Sequence, residues 1–360
     1  MASPGYSPLF LDIYRLDETG VLTLRPSITR RHVTAEWDVT VTTNAGGLRD
    51  RAIPVDGSGE TVLALGDSFA FGWGVELSQS FLWRAEEALR GERARIVKAG
   101  IPATGTFDQL RWLERYGDRY RPTAVLVVFF VGNDFIDTGR GGATAQFDVA
   151  DGLLVRRPAD AERESFLSAL KGKVKRSSLL AQKLAEALWA LDRRRLAAEE
   201  RQNPGLKGRD AWLREFATVH LKRPPASTLR AFERTRAALG GIRDWCSARR
   251  IPMLLLAVPR SFQVHAWELA RWQEAFGLRP DELDLDRPQR ELAAWASKRR
   301  VPLLDLLPAF REHATAQPAE RLFFYPDSHL NPAGHRVVAP LLARWLSDVR
   351  PASPAPGAAR

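Results

Sequence analysis

Residues 61–68 read TVLALGDS, an apolar and β-branched run that stops at a glycine, an aspartate and a serine. A run of this length and composition is typical of a strand that is buried on both faces of a parallel sheet. The polar residues mark the point where this strand ends and a loop begins. The sequence therefore places Ser68 at the carboxyl end of a core strand, which is the edge where open α/β sheets bind their ligands.

Further apolar runs alternate with helical patterns along the rest of the chain. Strands are predicted at 61–67, 95–101, 124–131, 252–258 and 301–306, and helices near 79–90, 106–118, 226–249, 287–299 and 332–348. Strands that alternate with helices form parallel sheets with right-handed crossovers. The fold class that we expect is α/β, a three-layer α/β/α sandwich around a parallel five-stranded sheet.

The chain divides by composition into a preface, a main domain and a tail. Residues 1–57 are predicted to form a β-rich N-terminal preface, because 21–24 and 37–42 alternate as half-buried strands do. Residues 58–350 form the main domain. Residues 351–360 are rich in Pro, Ala and Ser, and we expect a disordered tail.

The alternation of strands and helices stops between about 135 and 225. Residues 165–196 have leucines at helical spacing among many basic residues, which predicts a basic amphipathic helix. We interpret the segment as a helical insertion on the active-site side of the sheet. A lid, a partner surface and a plain scaffold remain open as roles for it.

Charge and cysteine content limit the classes of partner. The net charge of +10 favours anionic acceptors, but the arginines are spread along the chain, so no nucleic-acid partner is expected. Cys246 is the only cysteine, which precludes an intrachain disulfide and fits a reducing compartment. The start resembles no secretory leader, so a cytoplasmic location is the default, while an exported form that has lost its leader stays open. The longest apolar run, 124–131, is too short to span a bilayer.

A second motif, the DSH tripeptide that ends at His329, supplies the groups that serine chemistry needs. A serine becomes a nucleophile when a base takes its proton, and the base needs an acid that orients it. Ser68, His329 and Asp327 can fill these three roles. His335 is a rival base inside the last predicted helix, and Asp305 is a second candidate acid for which we expect a structural role.

Three ordered blocks resemble those of the SGNH, or GDSL, hydrolase superfamily: GDSF at 66–69, GND at 132–134 and DSH at 327–329. The resemblance covers about 61–347 apart from the insertion. It implies a flavodoxin-like sheet with the catalytic site at the carboxyl ends of the strands. It also implies a serine hydrolase or acyltransferase that needs no cofactor, apart from an acyl donor if the reaction is transfer.

The resemblance further implies an oxyanion hole, the set of donors that stabilises the tetrahedral intermediate. Its expected members are the backbone N–H of Ser68, a glycine N–H after the second strand and the side chain of Asn133. Ala103 stands where that glycine is usual, and its N–H can still donate. Gly100 or Gly105 is an alternative equivalent.

Two positions depart from the common family pattern. The acid usually lies three residues before the histidine, where this chain has Pro326, and Asp327 lies only two before it. This spacing resembles a subset that includes polysaccharide O-acetyltransferases, which favours acyl transfer. Lys98 stands where an asparagine is common.

Three more residues are candidate substrate contacts. Phe69 and Trp73 follow the nucleophile and could line an acyl or sugar subsite, with core packing as an equal alternative. Arg49 lies in a segment, 44–49, that resembles one preceding the catalytic domain in some bacterial members of the superfamily. Its side chain could reach the site.

The first hypothesis is a serine-dependent esterase or O-acyltransferase that acts on small acyl esters of a carbohydrate or natural product, with acetyl favoured. The second is a non-catalytic carbohydrate- or partner-binding module that keeps the fold, and the third is nucleic-acid binding through the basic insertion. No metal site is expected, since the chain has neither a His-Glu-x-x-His motif nor a cysteine cluster.

Overall fold

The computed structural model describes residues 11–34, 36–53, 59–92, 94–156, 214–325 and 327–349. Its strands are β1 (Tyr14–Leu16), β2 (Leu22–Leu24), β3 (Thr29–Val33), β4 (Asp38–Thr42), β5 (Glu60–Gly66), β6 (Ala94–Gly100), β7 (Ala124–Phe130), β8 (Phe147–Ala150), β9 (Leu153–Arg156), β10 (Met253–Val258) and β11 (Leu303–Asp305). The helices with described bounds are α1 (Ser68–Phe71), α2 (Phe81–Ala88), α3 (Thr106–Tyr116), α4 (Asp134–Gly139), α5 (Ala143–Gln146), α6 (Ala226–Ala248), α7 (Ser261–Val264), α8 (Ala266–Phe276), α9 (Arg287–Arg299), α10 (Leu307–Ala316) and α11 (Pro332–Val349).

The central sheet confirms the fold class. Five strands pair in parallel in the order β11-β10-β7-β5-β6, which is the flavodoxin-like order when they are counted along the chain. Each of the five strands lies within two residues of its predicted bounds. The chain reverses its direction of winding beside β5, so the carboxyl ends of β5 and β7 form the switch point where such sheets bind ligands.

Each face of the sheet has its own hydrophobic core, because successive side chains of a strand point to opposite faces. Leu63 and Leu65 of β5 pack in one cluster with the preface and with α3 and α6. Val62 and Ala64 pack in the other cluster with α2, α10 and α11. Helices on both faces complete the three-layer sandwich.

The preface packs directly on the main domain. It forms two antiparallel hairpins, β1 with β2 and β3 with β4, and the sequence predicted only the second strand of each. Trp37, Val41 and Leu48 belong to the same hydrophobic cluster as Leu65 of the sheet. The preface and the sheet therefore share one core in the described residues.

The beginning of the expected insertion is not wholly helical, which corrects the sequence prediction. After α4 and α5, β8 and β9 form an antiparallel hairpin with Asp151 and Gly152 at its turn, both at positive φ. An Asp-Gly pair between short strands is a hairpin signal that the sequence carried. The predicted helix over 165–196 and the tail 351–360 lie outside the described residues.

None of the described helices is long and apolar enough to cross a bilayer.

Candidate active site

Ser68, His329 and Asp327 form a hydrogen-bonded relay. The Ser68 Oγ lies 2.6 Å from the His329 Nε2, although the two residues are 261 positions apart. On the other side of the ring, the His329 Nδ1 lies 2.8 Å from the Asp327 Oδ1. The arrangement is that of a nucleophile, a base and an orienting acid.

The nucleophile turn explains the position of Ser68. Gly66 ends β5, and Asp67 is the N-cap of the short helix α1, where its Oδ1 accepts the backbone N–H of Phe69 at 2.9 Å. Ser68 is therefore the first residue of α1, and the first N–H groups of a helix have no partner within it. A side chain at Gly100 would place its Cβ 2.3 Å from the backbone N of Phe71, so this glycine lets α1 sit close to β6.

A tight hairpin holds the acid and the base. Phe323 and Leu330 form an antiparallel bridge, and the Phe324 N–H donates to the His329 carbonyl at 2.8 Å. Ser328, between the acid and the base, has a φ of +72°. This left-handed residue turns the backbone so that Asp327 also accepts the backbone N–H of His329 at 3.0 Å. The two-residue spacing is thus compatible with an acid–base contact.

Burial sets the protonation of the relay. Ser68 and His329 are only 8% and 9% exposed, and Asp327 is 3% exposed. Desolvation lowers the pKa of His329 well below its ordinary value, which keeps the imidazole neutral and able to accept a proton. Desolvation raises the pKa of Asp327, and its hydrogen bond from the His329 N–H acts in the opposite direction. A neutral ring that donates from Nδ1 to Asp327 presents its unprotonated Nε2 to Ser68.

The aromatic residues after the nucleophile support the histidine from behind. The Phe69 ring stacks on His329 with 4.6 Å between centroids, and on Phe130 at 3.8 Å. The Trp73 ring lies 6.4 Å from His329 and 4.5 Å from His32 of the preface. Because Phe69 and Trp73 are 2% and 1% exposed, the structure gives them the packing role that the sequence left open.

Arg49 has a structural place. It is 2% exposed, and its guanidinium donates to the carbonyls of Phe71, Gly72 and Val75, at 3.1, 2.6 and 2.7 Å. Burial lowers its pKa to about 10. These bonds tie the preface to the loop after α1, so Arg49 supports the nucleophile turn, and no described contact directs it towards a substrate.

Asn133 lies beside the nucleophile turn at the carboxyl end of β7. Its Nδ2 donates to the Asp137 Oδ2 at 2.9 Å and to the Asp67 Oδ2 at 3.3 Å. Burial raises the pKa of Asp67 to about 7 and that of Asp137 to about 6. The sequence analysis missed Asp137. It lies four positions after Asn133, a spacing that brings two side chains together on one face of a helix.

The structure distinguishes the three candidates for the second oxyanion donor. Gly100 is packed against α1, and the Gly105 N–H donates to the Asp108 Oδ2 at 3.0 Å. Ala103 has a φ of +69°, the left-handed region that favours glycine, which accounts for the usual glycine at this position. Its N–H has no acceptor among the described residues, so Ala103 remains the predicted donor.

The rival base and the rival acid have other partners. The His335 Nδ1 accepts the backbone N–H of Phe81 at 3.1 Å, and burial lowers its pKa to about 3. The Asp305 Oδ1 accepts the backbone N–H of Leu307 at 3.0 Å. Both residues hold the start of a helix, and neither contacts Ser68.

A buried arginine that the sequence analysis missed supports the turn before Asn133. Arg260 is 4% exposed, and its Nη1 donates to the Gly132 carbonyl at 2.7 Å. Its guanidinium lies 4.4 Å from the centroid of Trp272, and burial lowers its pKa to about 10. A charged residue directly after a core strand, β10, was the signal that could have identified it.

The described residues contain no group of three or more His, Cys, Asp or Glu side chains that could hold a metal ion.

The chain is similar to one known protein family and to several solved structures. A sequence model of the GDSL-like lipase/acylhydrolase family matches residues 64–337. One similar solved structure is TesA, with 14% identity over 80% of this chain and 99% of that chain and a TM-score of 0.40. A second is the acetyl xylan esterase AlAXEase, with 14% identity over 80% of this chain and 99% of that chain and a TM-score of 0.41. A third is the lipase/acylhydrolase from Enterococcus faecalis, with 12% identity over 82% of this chain and 100% of that chain and a TM-score of 0.39.

A search of curated proteins found no match to this chain. The family match spans the nucleophile turn, the GND turn and the DSH hairpin, and it takes in well over half of the 360 residues. The chain thus belongs to the GDSL-like lipase/acylhydrolase family, with the SGNH fold and the hydrolase class that the family implies.

Proposed function

We propose that this protein is a serine esterase that acts on small acyl esters, with acetyl favoured, of a carbohydrate or natural product. The observation that carries the proposal is the continuous relay from the Ser68 Oγ through the His329 ring to Asp327, at 2.6 and 2.8 Å. The second sequence hypothesis, a non-catalytic binding module, does not require this relay.

In the acylation step, the Ser68 Oγ attacks the ester carbonyl while His329 Nε2 takes its proton. The carbonyl oxygen gains the negative charge and accepts hydrogen bonds from the N–H groups of Ser68 and Ala103. The Asn133 amide becomes a third donor when the longer of its two bonds, the one to the Asp67 Oδ2 at 3.3 Å, gives way to the oxyanion. The intermediate then collapses, the bond to the alcohol breaks, and His329 returns its proton to the leaving alcohol oxygen. The product of this step is an acyl ester on Ser68.

In the second step, His329 removes a proton from a water molecule or from an acceptor hydroxyl, and that oxygen attacks the acyl carbon. The bond between the acyl carbon and the Ser68 Oγ then breaks, and His329 returns its proton to the Ser68 Oγ. Water gives hydrolysis, and an acceptor hydroxyl gives O-acyl transfer with the substrate ester as acyl donor. The Asp-x-His spacing supports transfer as an alternative fate of the acyl-enzyme. Neither route needs a metal or a bound cofactor.

The surroundings of Ser68 support a short acyl group. Ser68 is 8% exposed, and the buried rings of Phe69 and Trp73 fill the space behind His329. Because the nucleophile is largely buried and the base is closely packed, a small acyl group is favoured over a bulky one.

The proposal is tested by assaying the full chain against aryl esters of increasing acyl length, with and without an added acceptor alcohol. We expect the highest kcat/KM for the acetyl ester, and the ratio of acid to new ester distinguishes hydrolysis from transfer. Absence of turnover with every ester would contradict the proposal.

A further inference from the structure

An exposed cluster of aromatic rings lies at the same edge of the sheet as the relay. Trp267, on α8, and Tyr325, in the hairpin that carries Asp327, are 40% and 39% exposed. Their centroids are 5.7 Å apart and their planes are inclined by 61°. Exposed rings of this size are uncommon on a soluble surface unless they contact something, because burying them is strongly favourable.

Arg321 lies over both of these rings. Its guanidinium carbon is 5.0 Å from the centroid of Trp267 and 5.3 Å from that of Tyr325. We call Trp267, Tyr325 and Arg321 the aromatic–arginine cluster. The two rings hold the cation by cation–π attraction in one place on the surface.

Within the part of the chain that the structure describes, no Asp or Glu oxygen lies within ion-pair distance of the Arg321 guanidinium. Arg271 provides the contrast, because it also lies over Tyr325, at 4.7 Å, but its Nη2 is paired with Glu268 at 2.7 Å. Arg321 is therefore a positioned cation whose hydrogen-bond donors remain available to a ligand.

The cluster borders the relay. Tyr325 lies two residues before Asp327, and consecutive Cα atoms are 3.8 Å apart, so the two Cα atoms are at most about 7.6 Å from each other. Trp267 follows α7, which begins directly beyond the carboxyl end of β10. The cluster thus includes a residue of the hairpin that holds the acid and the base, so we take it to form part of the rim of the site.

We propose that the aromatic–arginine cluster binds the alcohol portion of the substrate, and that this portion is a sugar with a carboxylate. A guanidinium donates two parallel hydrogen bonds to a carboxylate, and this pairing is among the strongest at a protein surface. The exposed rings offer an apolar face to the C–H groups of a sugar ring. The inference rests on the proposed function, since attack by Ser68 defines which part of the ester lies at the rim.

The test uses two sugars that differ only in the group at C6. In the monoacetate of methyl galacturonoside, C6 is the carbon of a carboxylate. In the monoacetate of methyl galactoside, C6 is the carbon of a hydroxymethyl group. We expect the protein to have a KM about tenfold lower for the acid sugar, and this preference to weaken with salt. In R321Q the KM values for the two sugars should become about equal. W267A should weaken the binding of both sugars.

Arg249→Gln is the matched control. Arg249 also lies over an indole ring, Trp245, at 3.7 Å, but it is paired with Asp118 and lies at the opposite edge of the sheet, before β10. R249Q removes the same charge, so it should retain the preference for the acid sugar. An equal loss of preference in R321Q and R249Q would show a net-charge effect and overturn the inference.

A binding measurement separates this inference from the proposed function. Calorimetric titration of S68A with each monoacetate needs no turnover, so it reports on the cluster even if the protein proves to be no esterase. Tighter binding of the acid sugar to S68A, lost in the S68A/R321Q double variant, supports the cluster. Equal affinities, a preference that survives R321Q, or no measurable binding of the acid sugar would overturn it.

Discussion

The buried polar cluster around Lys98 and the candidate active site differ in how many of their polar atoms form hydrogen bonds. Lys98, on β6, is 2% exposed, and its Nζ donates to the Asp50 Oδ1, the Glu86 Oε2 and the Ile96 carbonyl, at 3.2, 2.5 and 2.8 Å. All three of its protons are used. In the candidate active site, by contrast, two buried oxygens have no hydrogen-bond partner among the described residues. They are the Asp327 Oδ2 and the Asn133 Oδ1.

The difference separates a structural cluster from a reactive one. The ions of the Lys98 cluster join the preface, through Asp50, to α2, through Glu86, so a lysine where the family commonly has an asparagine has a structural explanation. An unsatisfied buried polar atom costs stability, so beside a nucleophile such an atom is a candidate for a role in the reaction, whereas the fully partnered Lys98 serves the fold. Substitutions in the first cluster should therefore change stability, and substitutions in the second should change rate.

The largest effect is expected from removing the nucleophile or the base. Ser68→Ala and His329→Ala should each lower kcat/KM by about a thousandfold or more, and the double variant should be no worse than either, because the residues act as a unit. Unfolding in urea should change little. His335→Ala is the control, since it removes a buried histidine that holds α2 and should lower stability rather than kcat. Loss of activity in folded His335→Ala, with activity kept in His329→Ala, would reverse the assignment of the base.

Lys98→Met should have the next largest effect, and on stability. It leaves Asp50 and Glu86 buried without their cation, and breaking a buried pair in this way costs about 3–5 kcal/mol. The free energy of unfolding from urea titration measures the loss, and kcat of the folded fraction should stay near that of the wild type. An unchanged urea midpoint would mean that the cluster contributes no stability.

Asp327→Asn should lower kcat/KM by at least about tenfold, and by less than His329→Ala does. An amide can donate to the ring nitrogen and favour the wrong imidazole tautomer. In the wild type, burial lowers the pKa of His329, so activity should fall with decreasing pH only below the ordinary histidine value of 6.5. The pH profile of kcat/KM measures both effects, and an identical acid limb in Asp327→Asn would count against Asp327 as the orienting acid.

The smallest effect is expected at Asp137, which acts through Asn133. Asp137→Ala frees one Asn133 amide hydrogen from its carboxylate, so the donor is less well oriented and kcat should fall by about fivefold to tenfold with KM nearly unchanged. Asp108→Asn is the control, because Asp108 accepts the N–H groups of Gly105 and Ala143 and does not touch Asn133. Equal losses of kcat in the two variants would point to a general disturbance of α4.

Local patterns in the sequence were enough for the sheet, whereas the relay residues were predicted only because three ordered motifs resemble those of a known family. Buried parallel strands are continuous apolar runs, so the five core strands could be read from composition alone. Ser68 and His329 stand in short motifs at the ends of predicted elements. The hairpin at Asp151 and Gly152 had a turn signal that the sequence analysis did not use.

Contacts between distant segments could not be predicted in this way. Arg49 reaches the carbonyls after α1 only because the preface folds onto the sheet. The resemblance of 44–49 indicated that its side chain could reach the site, but not that it would bind these carbonyls. The aromatic–arginine cluster joins α8 to the DSH hairpin, two segments about 50 residues apart. Asp137 was missed because 135–225 was interpreted as an interruption, which hid the helix that carries it.

The central claim is that Ser68 is the nucleophile of a His329-dependent relay, and covalent labelling tests it most directly. The full chain is incubated with an aryl alkyl phosphonate, and the adduct is located by mass spectrometry of the intact chain and of its peptides. The account predicts one adduct, on Ser68, that forms rapidly in the wild type and in His335→Ala, slowly in His329→Ala and not at all in Ser68→Ala. An adduct on another residue, or equal labelling rates in the wild type and His329→Ala, would contradict it.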